Sequence, residues 1–183
     1  MGTTTETPLL TFEEFERLPD QPGKCELLEG ELVQLPPAES KHTRLSCRIY
    51  KILDAAVAEA HAQGAATELG EVFPEMGYKL ARNAYVVPDV SITHSGQTEE
   101  KYMAGAPAIA IEIVSPSNRT KHLDKKTALY FKFGAREVWR IYPGTRYAII
   151  HSGCADQIRT EREAIVTPLL PGFALSLKEI LAK

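Results

Sequence analysis

Apolar residues recur along this chain at two spacings. Between 40 and 62, Leu45, Ile49, Ile52, Leu53, Ala56, Val57 and Ala60 fall on one stripe at helical spacing, which predicts a long amphipathic helix. Gly64 is placed to end it. A second helix is expected over about 121–133, stopping at Gly134. Shorter apolar runs near 66–73, 76–81, 85–93, 108–115, 137–142 and 147–151 predict strands. Thr11-Phe12-Glu13-Glu14 has the form of a capping box and opens a short helix ending near Pro19. Residues 25–35 read as a tight hairpin turning at Glu29-Gly30 and stopped by Pro36 and Pro37. Arg82-Asn83 and Pro143-Gly144 are turn signals, and 161–183 supplies a short strand and a closing helix. This order predicts an α/β fold with a mixed central β-sheet flanked by helices. No repeat or linker interrupts it, so a single domain over 1–183 is expected.

Two of the strand-like runs break their own pattern. Val86-Val87-Pro88-Asp89-Val90-Ser91-Ile92-Thr93 and Ile109-Ala110-Ile111-Glu112-Ile113-Val114 each carry one carboxylate where an apolar residue is expected. Sorted by faces, Val86, Pro88, Val90 and Ile92 lie opposite Asp89, and Ile109, Ile111 and Ile113 lie opposite Glu112. Ala108 and Ala110 beside Glu112 leave room for an ion or substrate. Charge in a strand is costly unless paired, hydrogen-bonded or bound to a metal. Either residue alone is explained by capping a loop or pairing with arginine. The two together, each near a proline-marked strand end, point to a divalent-cation site.

Composition narrows the classes. Of 183 residues 44% are hydrophobic and 25% charged, as in a water-soluble globular domain. The net charge of −3 excludes a generally basic nucleic-acid coat, although Lys and Arg cluster around 119–140. Cys25, Cys47 and Cys154 are scattered and form no Cys-x-x-Cys pair, so reduced cytoplasmic thiols acting as small buried hydrophobes are expected. The polar start lacks the form of a signal peptide, and no apolar stretch has the length of a membrane span.

The second helix adds a cation. Lys126 has Leu123 before it and Leu129 and Tyr130 after it, all on the inward stripe. An inward lysine needs an anionic partner; the plain alternative is a side chain snorkelling at the stripe edge. Arg119, Lys121 and Lys125 lie nearer the outer face, where they form an ordinary solvated surface or contact the phosphates of a nucleic acid.

Pro88-Asp89, then Glu112-Ile113-Val114-Ser115-Pro116-Ser117, then Lys126-Thr127-Ala128-Leu129-Tyr130, Gly134 and Glu137-Val138-Trp139 together resemble one family. It is the family of putative restriction endonucleases common in cyanobacteria, a branch of the PD-(D/E)XK nuclease superfamily. Glu26-Leu27-Leu28-Glu29-Gly30-Glu31 resembles its first hairpin, and the likeness spans roughly 10–150. The resemblance implies a restriction-endonuclease-like core and cleavage of DNA dependent on Mg²⁺, for which Mn²⁺ substitutes. It implies Asp89 and Glu112 as metal ligands with the backbone carbonyl of Ile113, Lys126 as the catalytic lysine, and Glu31 and His42 in support. His42 is equally explained as a hydrogen-bonder at the helix start. Cutting both strands would call for a homodimer. The superfamily's lysine usually stands two residues after the acidic one, where this chain has Val114. Two further departures are His122 in place of an aspartate and Tyr142-Pro143 in place of Asp-Pro. The other reading is a nuclease-like fold that binds nucleic acid or protein without catalysis.

Overall fold

The computed structural model of the protein describes residues 9–19, 22–66, 68–115, 120–153 and 155–182. In chain order its elements are α1 (Phe12–Phe15), β1 (Lys24–Leu28), β2 (Glu31–Leu35), α2 (Ser40–Ala62), β3 (Leu69–Pro74), β4 (Tyr78–Ala81) and β5 (Ala84–Val86). They continue with β6 (Val90–His94), β7 (Met103–Ala104), β8 (Ile109–Ile113), α3 (Thr120–Lys132), β9 (Glu137–Tyr142) and β10 (Tyr147–Ser152). The last are β11 (Asp156–Thr160), β12 (Ala164–Ile165), β13 (Leu175–Ser176) and α4 (Leu177–Ile180). Among the described residues no helix is long and apolar enough to cross a membrane.

The expected mixed sheet is present, in the order β11-β10-β9-β8-β6-β3, with β8 and β9 parallel and the other neighbours antiparallel. A second sheet, β2-β1-β5-β4-β7, stands beside it. That division corrects the strand expected over 85–93. The chain leaves β5 in the five-stranded sheet, crosses at Val87-Pro88-Asp89 and enters β6 in the six-stranded sheet. Pro88 has no N–H to contribute to a ladder, which suits it to the crossover. Asp89 therefore precedes β6 rather than lying inside a strand.

The apolar stripe of α2 packs on one face of the six-stranded sheet. Leu45, Ile49, Leu53, Val57 and Ala60 meet Val90, Ile92, Ile109, Ile111, Ile113, Trp139 and Ile141, and the C-terminal Leu175, Leu177 and Ile180 close the same core. Ile49 and Leu53 have no exposed surface, and each such side chain contributes about 1.5–3 kcal/mol by leaving water. The opposite face is covered by α3 and the five-stranded sheet, where Ala110 and Val138 pack against Leu28, Tyr78, Val86, Leu129 and Tyr130. All five residues of β8 are consequently buried, so this strand has no solvent side. The β1–β2 turn has Glu29 at φ 54° and Gly30 at φ 86°, the left-handed pair that lets a two-residue hairpin follow the strand twist.

Two smaller expectations change. Cys25 is half-buried and Cys47 is exposed, so neither is a core hydrophobe, and Cys154 lies outside the described residues. The short run 156–160, which carries no strand-like pattern, pairs as β11 along β10.

Candidate functional site

The crossover at 87–89 is held from both sides. The Val87 N–H donates to Glu26 Oε1 at 2.9 Å, and the Asp89 N–H donates to the Ile111 carbonyl at 3.1 Å. The Asp89 carbonyl accepts from Ser46 Oγ on α2 and from the Glu75 N–H. The Ile113 N–H donates to Asp89 Oδ2 at 2.7 Å, which ties the carboxylate to the end of β8. Oδ1 then faces two nitrogens, Lys24 Nζ at 2.8 Å and His42 Nε2 at 3.2 Å.

Glu112 meets a different cation. On β8, alternation turns Glu112 to the same side as Ala110, toward α3. Lys126, one turn before Tyr130 on α3, is buried and reaches Glu112 Oε1 at 2.7 Å and Glu26 Oε1 at 2.8 Å. The Tyr130 hydroxyl donates to the same Glu112 oxygen at 2.8 Å. The room expected beside Glu112 is thus filled by Lys126 and Tyr130. Ala110 belongs to the same core cluster as Tyr130, and Ala108, outside the strand, belongs to the other core.

Glu26, Asp89 and Glu112 are therefore buried carboxylates in two ion-pair groups, Asp89 with Lys24 and His42, and Glu26 and Glu112 with Lys126; the Val87 backbone joins them into one network, its N–H bonded to Glu26 and its carbonyl accepting from Lys24. Burial alone would push the Asp89 carboxyl up. The hydrogen bond from His42 and the charges of Lys24 and His42 outweigh it and hold Asp89 well below the ordinary carboxylate range. Burial pushes Glu112 up, and Lys126 only partly opposes it while Asp89 and Glu26 add to it. Burial also works against the charge on Lys126, but Glu112 and Glu26 more than compensate and keep the ammonium protonated. The hydrogen bond to Asp89 raises His42 above its usual value.

A hard divalent ion takes carboxylate oxygens and keeps several waters, so it does not need a complete protein cage. Among the described residues no three His, Cys, Asp or Glu side chains already converge as one, and lysine ammoniums stand against the carboxylates. The donor chemistry nevertheless fits such an ion: the network is rich in carboxylate oxygens, and Glu26 Oε2 is buried without a hydrogen-bond partner among the described residues. Residues 12–178 match the family described as Uma2, putative restriction endonuclease. The chain belongs to that family. Its fold is similar to the crystal structure of a putative nuclease of the DUF820 group from Anabaena variabilis ATCC 29413, with TM-score 0.78 and 21% identity over 94% of this chain and 97% of that one. That likeness shows the restriction-endonuclease-like fold. A cryo-electron microscopy structure of a DrdV–DNA complex overlaps at TM-score 0.34 and 16% identity, covering 76% of this chain and 13% of the other, too loosely to carry an argument. No curated protein matches the chain.

In this Uma2 member the Uma2 match extends past position 150 into the C-terminal residues that close the α2 core. Asp89, Glu112, Lys126 and His42, expected from the sequence, converge as described. Glu31 lies apart from them, bonded by Lys125 at 3.3 Å and approached by His122 at 3.5 Å. Lys125, expected toward the outer face, is instead drawn to the hairpin by Glu31 and by Glu29 at 3.4 Å. Lys121 is exposed, and Arg119 lies outside the described residues. Sequence reasoning missed Glu26, Lys24 and Tyr130 as members of the network. One signal was available for Glu26: it is a charge in a hairpin strand, flanked by Cys25, Leu27 and Leu28.

Proposed function

We propose that this protein is a divalent-cation-dependent endonuclease that hydrolyses phosphodiester bonds of DNA. The observation that carries the reading is the buried network joining Asp89, Glu112 and Lys126 in a chain of the Uma2 family. In this reading Asp89 and Glu112, with the backbone carbonyl of Ile113, hold Mg²⁺, for which Mn²⁺ substitutes. When bound, such an ion would supply a water of lowered pKa and neutralise charge on the phosphodiester. Lys126, kept protonated by its two carboxylates, counters negative charge developing on the phosphate. Tyr130 fixes the Glu112 carboxylate, and His42 supports Asp89 from α2. Lys121, with Arg119, contacts backbone phosphates, while Lys125 and Glu31 tie α3 to the hairpin. Cutting both strands takes two such centres, hence two copies of the chain.

The test is incubation of supercoiled plasmid with the purified protein and Mg²⁺ or Mn²⁺. Nicking or cutting that disappears in Asp89→Asn and in Glu112→Gln is the expected result. Cleavage unchanged in both variants refutes the site. Ion binding at Asp89 without cleavage of any DNA refutes the catalytic reading and leaves a binding module.

A further inference from the structure

Lys24 opens β1 and, two positions from Glu26, shares its face. Its Nζ lies 2.8 Å from Asp89 Oδ1, 3.2 Å from the Val87 carbonyl and 3.8 Å from Glu75 Oε1. Asp89 Oδ2 is committed to the Ile113 N–H. Oδ1 is therefore the oxygen a divalent ion takes without breaking a backbone hydrogen bond, and Lys24 and His42 already stand on it. A carboxylate oxygen has two lone-pair directions, so an ion and both of these groups do not share it. Lys24 has a second anion within a small swing. Glu75 is exposed, and its N–H is bonded to the Asp89 carbonyl, which keeps it at the edge of the site. Among the described residues His42 has no second carboxylate within ion-pair distance.

We propose that Lys24 is a displaceable counter-cation on Asp89, which moves to Glu75 when a divalent ion binds. The inference rests on the metal-site reading above and deepens it. Lys24 neutralises Asp89 inside the protein and, in doing so, weakens the site for a metal. Ion binding and Lys24 release are then two sides of one coupling, and removing the lysine charge strengthens binding by the amount that competition costs.

The experiment is calorimetric titration of Mn²⁺ alone, without nucleic acid, into wild-type protein and variants. Lys24→Met is expected to bind Mn²⁺ about tenfold tighter, within the usual range for coupled binding. Lys24→Arg keeps the charge and is expected to bind no tighter than wild type. Glu75→Gln, which removes the alternative partner, is expected to weaken binding. If Asp89→Asn loses the ion while Lys24→Met binds it no tighter than wild type, Lys24 is not the competitor and the inference is overturned. Tighter binding by Lys24→Arg overturns it as well, and keeps the test decisive if Lys24→Met does not fold. Asp89→Asn with wild-type affinity refutes instead the metal-site reading on which the inference stands.

Discussion

Replacing Lys126 by methionine removes one charge while keeping most of the side-chain volume. The lost ammonium lies 2.8 Å from Glu26 and 2.7 Å from Glu112, both inside the protein. Breaking a buried ion pair by removing one partner costs about 3–5 kcal/mol, because the other charge is left unmatched. Proton uptake sets a lower ceiling here. Protonating a glutamate of ordinary value 4.5 at pH 7 costs about 3.4 kcal/mol, at about 1.36 kcal/mol for each of two and a half pH units. The expected loss is thus about 3 kcal/mol at pH 7, shrinking to about 1 kcal/mol at pH 5. The sign follows from linkage. The folded variant holds a proton that the unfolded chain releases, so its stability falls as pH rises above the glutamate's ordinary value. Urea unfolding in EDTA at both pH values measures this. Trp139, the one tryptophan of the chain, is fully buried with its Nε1 bonded to Glu137, and serves as the fluorescence reporter. A loss below about 1 kcal/mol at pH 7, or an equal loss at pH 5 and pH 7, refutes the assignment of Lys126 as the charge that holds Glu26 and Glu112 together.

Three further outcomes follow from the same geometry. The folded-state pKa of Asp89 is depressed, so it contributes stability above its ordinary value that is lost as pH falls below about 3.9; acid unfolding in chelator should show that loss, and Asp89→Asn should flatten it. Tyr130→Phe deletes the hydroxyl on Glu112 Oε1 and should cost about 1–2 kcal/mol by urea unfolding, with no change in the far-ultraviolet circular dichroism. Gly70→Ala drives a Cβ into Thr93 Oγ1 and places it 2.6 Å from the His94 carbonyl, so β3 must move off β6; a loss of about 1–3 kcal/mol is expected, and an unchanged melting temperature would contradict the close approach.

The elements most legible beforehand are those whose apolar pattern is long or whose turn chemistry is specific. The stripe from Leu45 to Ala60 locates α2 at Ser40–Ala62, because a helix one side of which faces a core repeats its apolar residues every three or four positions. Glu29-Gly30 marks the hairpin turn, because a left-handed pair of residues is what a two-residue connection needs. Lys126 reads as inward from its neighbours Leu123, Leu129 and Tyr130, and it is buried. By contrast, the run 85–93 alternates like one strand and is divided between two sheets. Alternation reports which side of a strand is apolar, and both β5 and β6 have such a side.

Taken alone, the sequence determined the helices, most of the strands, the oddity of carboxylates among apolar runs and the family likeness. Only the tertiary structure decided which charges meet. Lys24 and Asp89 are 65 positions apart, and Lys125 and Glu31 are 94 apart, so no local period relates them. Their pairing follows from stacking the five-stranded sheet and α3 on one face of the six-stranded sheet. That packing brings Glu26 to Lys126 and sets Lys24 on the Asp89 oxygen. The physical reason is that burial makes an unmatched charge expensive wherever it sits, while the identity of its match depends on which surfaces the folded chain brings together.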